Sequence, residues 1–254
     1  MFQHRNGWSV LFSIAMMIEL AGCGGRLVNV ERPKGQIEMR RPEEKGEMPK
    51  LVIDPVTSSQ SKSSVDVTLR YASEEDLDRF FGNKEIFGAV AGKNPYPPHT
   101  LIFYVKIFNH SPKKIKVNTE DFVLIDNINI QYSELSPDNI SAIYESKANV
   151  WSFAKTTGDI APGFYGAPLK VAGALGVGGN RKSHYLIKQV RLAPGYVYNG
   201  IAYDGYVAFP RPHPNATSVR LIIGNIKTDF NPADFAETAI DFEFPFELKA
   251  STSS

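Results

Sequence analysis

Five histidines, at positions 4, 99, 110, 184 and 213, are the residues of this 254-residue chain best suited to proton transfer or metal ligation. No two stand four apart, so no helix presents the paired imidazoles of a zinc site. His99 in "NPYPPH" and His213 in "RPHPN" both fall in proline-rich loops. They are metal-ligand candidates only if the fold brings those loops together; two separate exposed histidines are the simpler reading. The carboxylates of "SEEDLDRF" (73–80) would need to converge in a pocket to do general acid–base work. At the start of a helix, the dipole and solvation explain them without catalysis. "GALGVGGNRKS" (173–183) fails as a phosphate loop, because Arg181 stands where that motif needs Gly before its Lys. There is no GxSxG nucleophile turn either. No catalytic residue, bound metal or cofactor is expected.

Aromatic residues offer a different kind of chemistry. Tyr196, Tyr198, Tyr203 and Tyr206 crowd within eleven residues around Gly200 and Gly205. Tyrosines beside glycines can form a face for a glycan or a protein, since their rings give contact area at low entropy cost. With Trp151 they are the candidate binding surface, and core packing is the competing use for the same rings.

Cys23 is the single thiol of the chain and sits in "IELAGCGG". His4 and Arg5 give a weakly positive start, and the apolar stretch Trp8–Ile18 has the length of an export signal rather than of a membrane span. Leu20, Ala21, Gly22 and Cys23 then resemble the lipobox of bacterial lipoproteins at all four positions. The resemblance implies that residues 1–22 are removed, that the Cys23 sulfur receives a diacylglyceryl group, and that the new amine is acylated. Glu19 departs from the pattern by placing a charge at the end of the apolar region. Each buried methylene contributes about 0.8 kcal/mol, so several chains on one residue hold permanently to a bilayer. Gly24 stands where an aspartate would signal inner-membrane retention, which points to the outer membrane of a bacterial envelope.

Those side chains need elements to hold them. Residues 23–64 read as a lipidated N-terminus and a disordered tether: 31–50 carries six basic and five acidic residues, and "VTSSQSKSS" continues it as a polar run. From Val65 the pattern changes to strands: "VDVTLRY", "INIQY" and "TAIDFEFPFEL" alternate with period two. "TLIFYVKIF" is apolar on both faces, as a central strand covered on each side would be, and "FVLI", "HYLIKQVRLA", "NGIAYDGYVAF" and "TSVRLIIGNI" read as further strands. Helical spacing interrupts it in "ASEEDLDRFFG", capped by Ser73, and in 136–154, where Ser136 is the N-cap and Pro137 the first helical residue. The spacing predicts a mainly β fold over 65–250: an antiparallel β-sandwich of about eight strands, with two helical insertions and a long glycine-rich loop between 136 and 183. A formal net charge of +1 removes the basic excess expected of a nucleic-acid binder.

"VKIFNHSPKKIKVNTEDFVLIDNINIQYSEL" (105–135) and "LAPGYVYNGIAYDGYVAFP" (192–210) are similar to the immunoglobulin-like domains of bacterial envelope lipoproteins. The resemblance spans about 95–248, apart from 136–183. It implies a non-catalytic binding or scaffolding module whose partner is an envelope protein or glycan, and it carries over no catalytic residue. The alternative class is an envelope hydrolase or metal-handling protein using His99, His184 or His213 with nearby carboxylates.

Overall fold

The computed structural model describes residues 51–98, 100–144, 154–156 and 181–250. Cys23, most of the charged tether, His99, Trp151 and the glycine-rich stretch to 180 lie outside the described residues.

Alternating apolar positions build two antiparallel sheets. One contains β2 (Thr57–Lys62), β3 (Val65–Tyr71), β4 (Thr100–Asn109) and β10 (Ala202–Pro210), in the order β10-β4-β3-β2. The other runs β1-β12-β11-β6-β7-β8, with β1 (Leu51–Asp54), β6 (Phe122–Asp126), β7 (Ile130–Ser133), β8 (Ala154–Thr156), β11 (Ser218–Phe230) and β12 (Ala236–Ala250). Two short strands extend it from β11: β5 (Ile115–Val117), then β9 (Gly195–Val197). The inner faces meet as a sandwich. Val65, Val67, Leu69, Phe103, Val105, Ile107 and Phe209 of the small sheet pack against Phe122, Leu124, Leu221, Ile223, Phe242, Phe244 and Phe246 of the large one.

The small sheet is apolar on its other face as well. Ile102, Tyr104, Tyr206 and Ala208 point away from the sandwich and must be covered. Four helices supply apolar side chains around them: α1 (Glu74–Phe81), α2 (Lys84–Phe87), α3 (Pro137–Tyr144) and α4 (Arg181–Val190). Leu77, Phe81, Ile140, Leu186 and Ile187 form a second core with the sheet residues. The α1 start is fixed by the expected Ser73 cap, which the structure completes as a capping box: Ser73 Oγ accepts from the Asp76 N–H, and Asp76 reaches back to the Ser73 N–H. Ser136 caps α3 by accepting from the Asn139 N–H at 3.2 Å.

Several expectations are corrected. Residues 51–62, read as tether, belong to the sandwich: β1 pairs with β12, and the polar run 57–62 pairs residue for residue with β3 as an edge strand. Ser63 and Ser64 turn this hairpin with φ of 49° and 61°, the positive pair that a two-residue I′ turn requires. "HYLIKQVRLA" is not a strand. Ser183, Leu186, Ile187 and Val190 are spaced for one helical face, and that spacing wins in α4. Ala154, read as the end of a helix, lies in β8. In all, the described residues contain twelve strands rather than about eight.

The long strand β12 has an unusual edge. β1 covers only Glu247 to Ala250. Ahead of it, the side chains of Gln60 and Lys62 cross from β2 to the carbonyls of Glu243 and Asp241. Pro245 shares their parity, so its missing N–H faces the same edge and costs the β11 ladder nothing.

Gly205 on β10 allows the closest approach among the described glycines. A Cβ there would lie 2.4 Å from the Leu192 nitrogen, and the Leu192 N–H donates to the Tyr206 carbonyl beside it. Gly205→Ala is expected to destabilise the protein by roughly 1–3 kcal/mol through forced backbone separation. Ser64→Gly, which relieves a left-handed residue, is expected to stabilise it by up to about 1 kcal/mol. Urea unfolding of both variants measures the two shifts, and their opposite signs are the check.

Candidate functional site

The strand register sorts the loops into two ends. At one end lie the β2–β3 turn, the β4–β5 loop, the β9–β10 turn and the β11–β12 turn, which we call the tip. Leu51, where the described chain begins, pairs with Ala250 at the other end. β12 alone spans the distance with 15 residues, about 50 Å at ~3.3 Å per residue.

One buried side chain organises the tip. Asn109, fully buried at the end of β4, donates from Nδ2 to the carbonyls of Lys113 (2.8 Å) and Val197 (3.0 Å), and its Oδ1 accepts from the Ser111 N–H. It closes the β4–β5 loop and ties that loop to β9. Gly200, with φ of 74°, completes the neighbouring turn, and its N–H donates to the Asn109 carbonyl.

On this base sits a compact charged and aromatic group. Lys114 Nζ donates to Asp234 Oδ1 at 2.5 Å, and the Tyr196 hydroxyl donates to Asp234 Oδ2 at 2.8 Å. The Lys114 ammonium also lies over the rings of Tyr196 (4.5 Å) and Phe230 (5.0 Å), which meet edge to face. The Asp234 carboxyl is held below its ordinary value by the hydrogen bonds from Lys114 and Tyr196, and Lys114 is raised in turn. Around the group, Tyr198 (60% exposed), Ile201 (52%) and Phe235 (70%) present large apolar surface to solvent. Such aromatic anchors with a polar surround are the make-up of a protein-binding patch.

The four candidate tyrosines therefore divide. Tyr196 and Tyr198 belong to the tip. Tyr203 is half-buried and donates its hydroxyl to the Ala193 carbonyl at 2.6 Å. Tyr206 is buried beneath the helical layer, against Phe80 and Tyr104. Alternation along β10 sends these two rings to opposite faces, and both are packing residues. Gly205 likewise serves close approach rather than flexibility.

The described histidines stand apart. Nε2 of His110 is 2.6 Å from Asp66 at the tip, and that of His184 is 3.3 Å from Asp138, between α4 and α3. His213 stays at the opposite end, where its Nδ1 accepts from the Asn215 N–H. Among the described residues, no group of three or more His, Cys, Asp or Glu could hold a metal ion. Phe235, Ile201 and the lysines of the tip carried no signal in the sequence, because only the loop positions make them neighbours.

A second polar group lies under the helical layer. Glu134, 5% exposed in its side chain, has the Arg191 guanidinium at 3.5 Å, and the same nitrogen donates to Thr119 Oγ1. Burial pushes the Glu134 carboxyl up to about 7, against the opposing pull of Arg191; the Glu120 charge adds to the rise. The folded protein thus holds this proton more tightly than the unfolded chain. Its stabilising effect is complete below about pH 4.5 and is lost as pH rises through 7, with a slope of at most about 1.4 kcal/mol per pH unit. Asp66, Asp229 and Asp234 are lowered instead and act only below about pH 4. Unfolding free energies between pH 5 and 7.5 should therefore fall more steeply for the native sequence than for Glu134→Gln. Parallel curves would refute the assignment.

No helix among the described residues is long and apolar enough to cross a membrane. No family model matches this chain, and no curated protein or solved structure matches it.

Proposed function

We propose that this chain is a lipid-anchored protein of the bacterial envelope whose β-sandwich is a non-catalytic binding module. The observation that carries the binding role is the tip: three large apolar side chains exposed together, on loops held by a buried asparagine, at the end of the sandwich remote from Leu51. Cys23 in its LAGC context supports the anchoring. Attachment at Cys23 would keep the module concentrated near one surface. Its partner is an envelope protein, since mixed charge around aromatic anchors suits a protein surface better than a glycan.

Two measurements test this. Labelled palmitate should enter the expressed protein and be lost in Cys23→Ala, which should also leave the membrane fraction. A photo-crosslinking residue at position 198 or 235 should give a discrete adduct in cells, whereas one at Val52, exposed at the opposite end, should give none. Equal labelling at all three positions would sink the tip as the binding surface.

A further inference from the structure

We propose that the tip recognises an acidic segment of its partner protein, with a carboxylate seated between Lys116 and Lys227 and an adjoining apolar side chain packed on Tyr198 and Phe235. The inference rests on the binding-module reading and adds the chemistry of the partner.

The carrying observation is a pair of like charges. In the ladder between β5 and β11, Lys116 stands directly opposite Lys227. Tyr196 stands opposite Lys116 on the other side, and Ala239 opposite Lys227. Their neighbours Ile115, Val117, Val197 and Ile226 are buried in the sandwich core, so alternation puts Tyr196, Lys116 and Lys227 in one row on the outer face. Like charges directly opposed on a sheet are destabilising.

The other tip lysines do not share this problem. Lys113 donates to Asp229 at 2.8 Å and Lys114 to Asp234 at 2.5 Å. Glu237 acts on Lys113 as well. Lys116 lies over the Tyr196 ring at 5.4 Å, beside an Asp234 already occupied by Lys114 and Tyr196. Lys227 makes no ion pair among the described residues. An incoming carboxylate would turn the repulsive pair into a bridged one, an arrangement that the acids among the described residues do not supply.

Tyr198, Ile201 and Phe235 narrow the occupant further. A phosphate polymer would satisfy the lysines and leave these side chains in water. An anionic bilayer would meet Asp229, Asp234 and Glu237 at the same end and be repelled by them. A protein segment with an acidic residue next to an apolar one matches both parts of the surface.

The test pans the full chain, carrying Cys23→Ser so that no acyl anchor intervenes, against a random dodecapeptide phage library. Enriched peptides should place Asp or Glu beside an aromatic or aliphatic residue. Their affinity should fall by about tenfold or more in Lys116→Glu/Lys227→Glu. Lys227→Glu alone sets opposite charges across the ladder, so its melting temperature should not drop, which separates lost binding from lost folding. Absence of enrichment, or peptides indifferent to the double reversal, overturns the proposal. Peptides lost on Phe235→Ser but retained by the double reversal also overturn it, and leave the tip standing as a binding surface. Binding to phosphatidylglycerol vesicles with no peptide enrichment replaces the protein segment with a bilayer.

Discussion

A strand that packs apolar side chains on both faces governs this molecule. β4 has hydrogen-bonded neighbours on either side, and its side chains enter the sandwich core on one face and the helical core on the other. With Lys106 the one exposed residue of its outer face, it forces a three-layer arrangement on the chain. The helices are the cover that the outward Ile102, Tyr104, Tyr206 and Ala208 demand. Closing that cover brings the segment after α4 onto β10, and only a residue without a Cβ, Gly205, lets the backbones approach so closely. The same closure traps Glu134 and Arg191 where water is scarce. Their proximity and the raised carboxyl are consequences of covering the sheet.

The two ends of the sandwich are free of this demand. Nothing in the core depends on Tyr198, Ile201 or Phe235, yet they are large and apolar. Asn109 makes the difference between a set of loops and a surface: its amide spends three hydrogen bonds on holding one loop against its neighbours. Rigid loops lose less freedom on binding, which is why a buried polar anchor beneath an exposed aromatic patch suits recognition.

Most of the sheet content is legible in the sequence because alternation leaves a period-two imprint. β3 and β12 carry it most plainly, β4 and β6 show instead as continuous apolar runs, and the Ser73 and Ser136 caps mark their helices. β2 is hidden because an edge strand can pair through its backbone while its side chains stay polar, and because serines turn its hairpin where Asn-Gly would have announced it. α4 is hidden because a short run of apolar and polar residues fits either period until its burial is known. The site is less legible than the fold. Spacing along the chain groups Tyr196, Tyr198, Tyr203 and Tyr206, but a strand points its side chains to alternate faces. The partners that matter to Tyr196, namely Lys114, Phe230 and Asp234, come from other hairpins.

The side chains of Gln60 and Lys62, laid over the carbonyls of Asp241 and Glu243, have a consequence for how copies of this protein meet one another. A long strand with bare main-chain groups is a template on which a second copy can add, then a third, until an ordered aggregate grows. Here two of the acceptors are already taken from within, the residue between them and β1 is a proline, and an ammonium guards the approach. The fold thereby keeps its longest strand from polymerising, without a dedicated element to cover it.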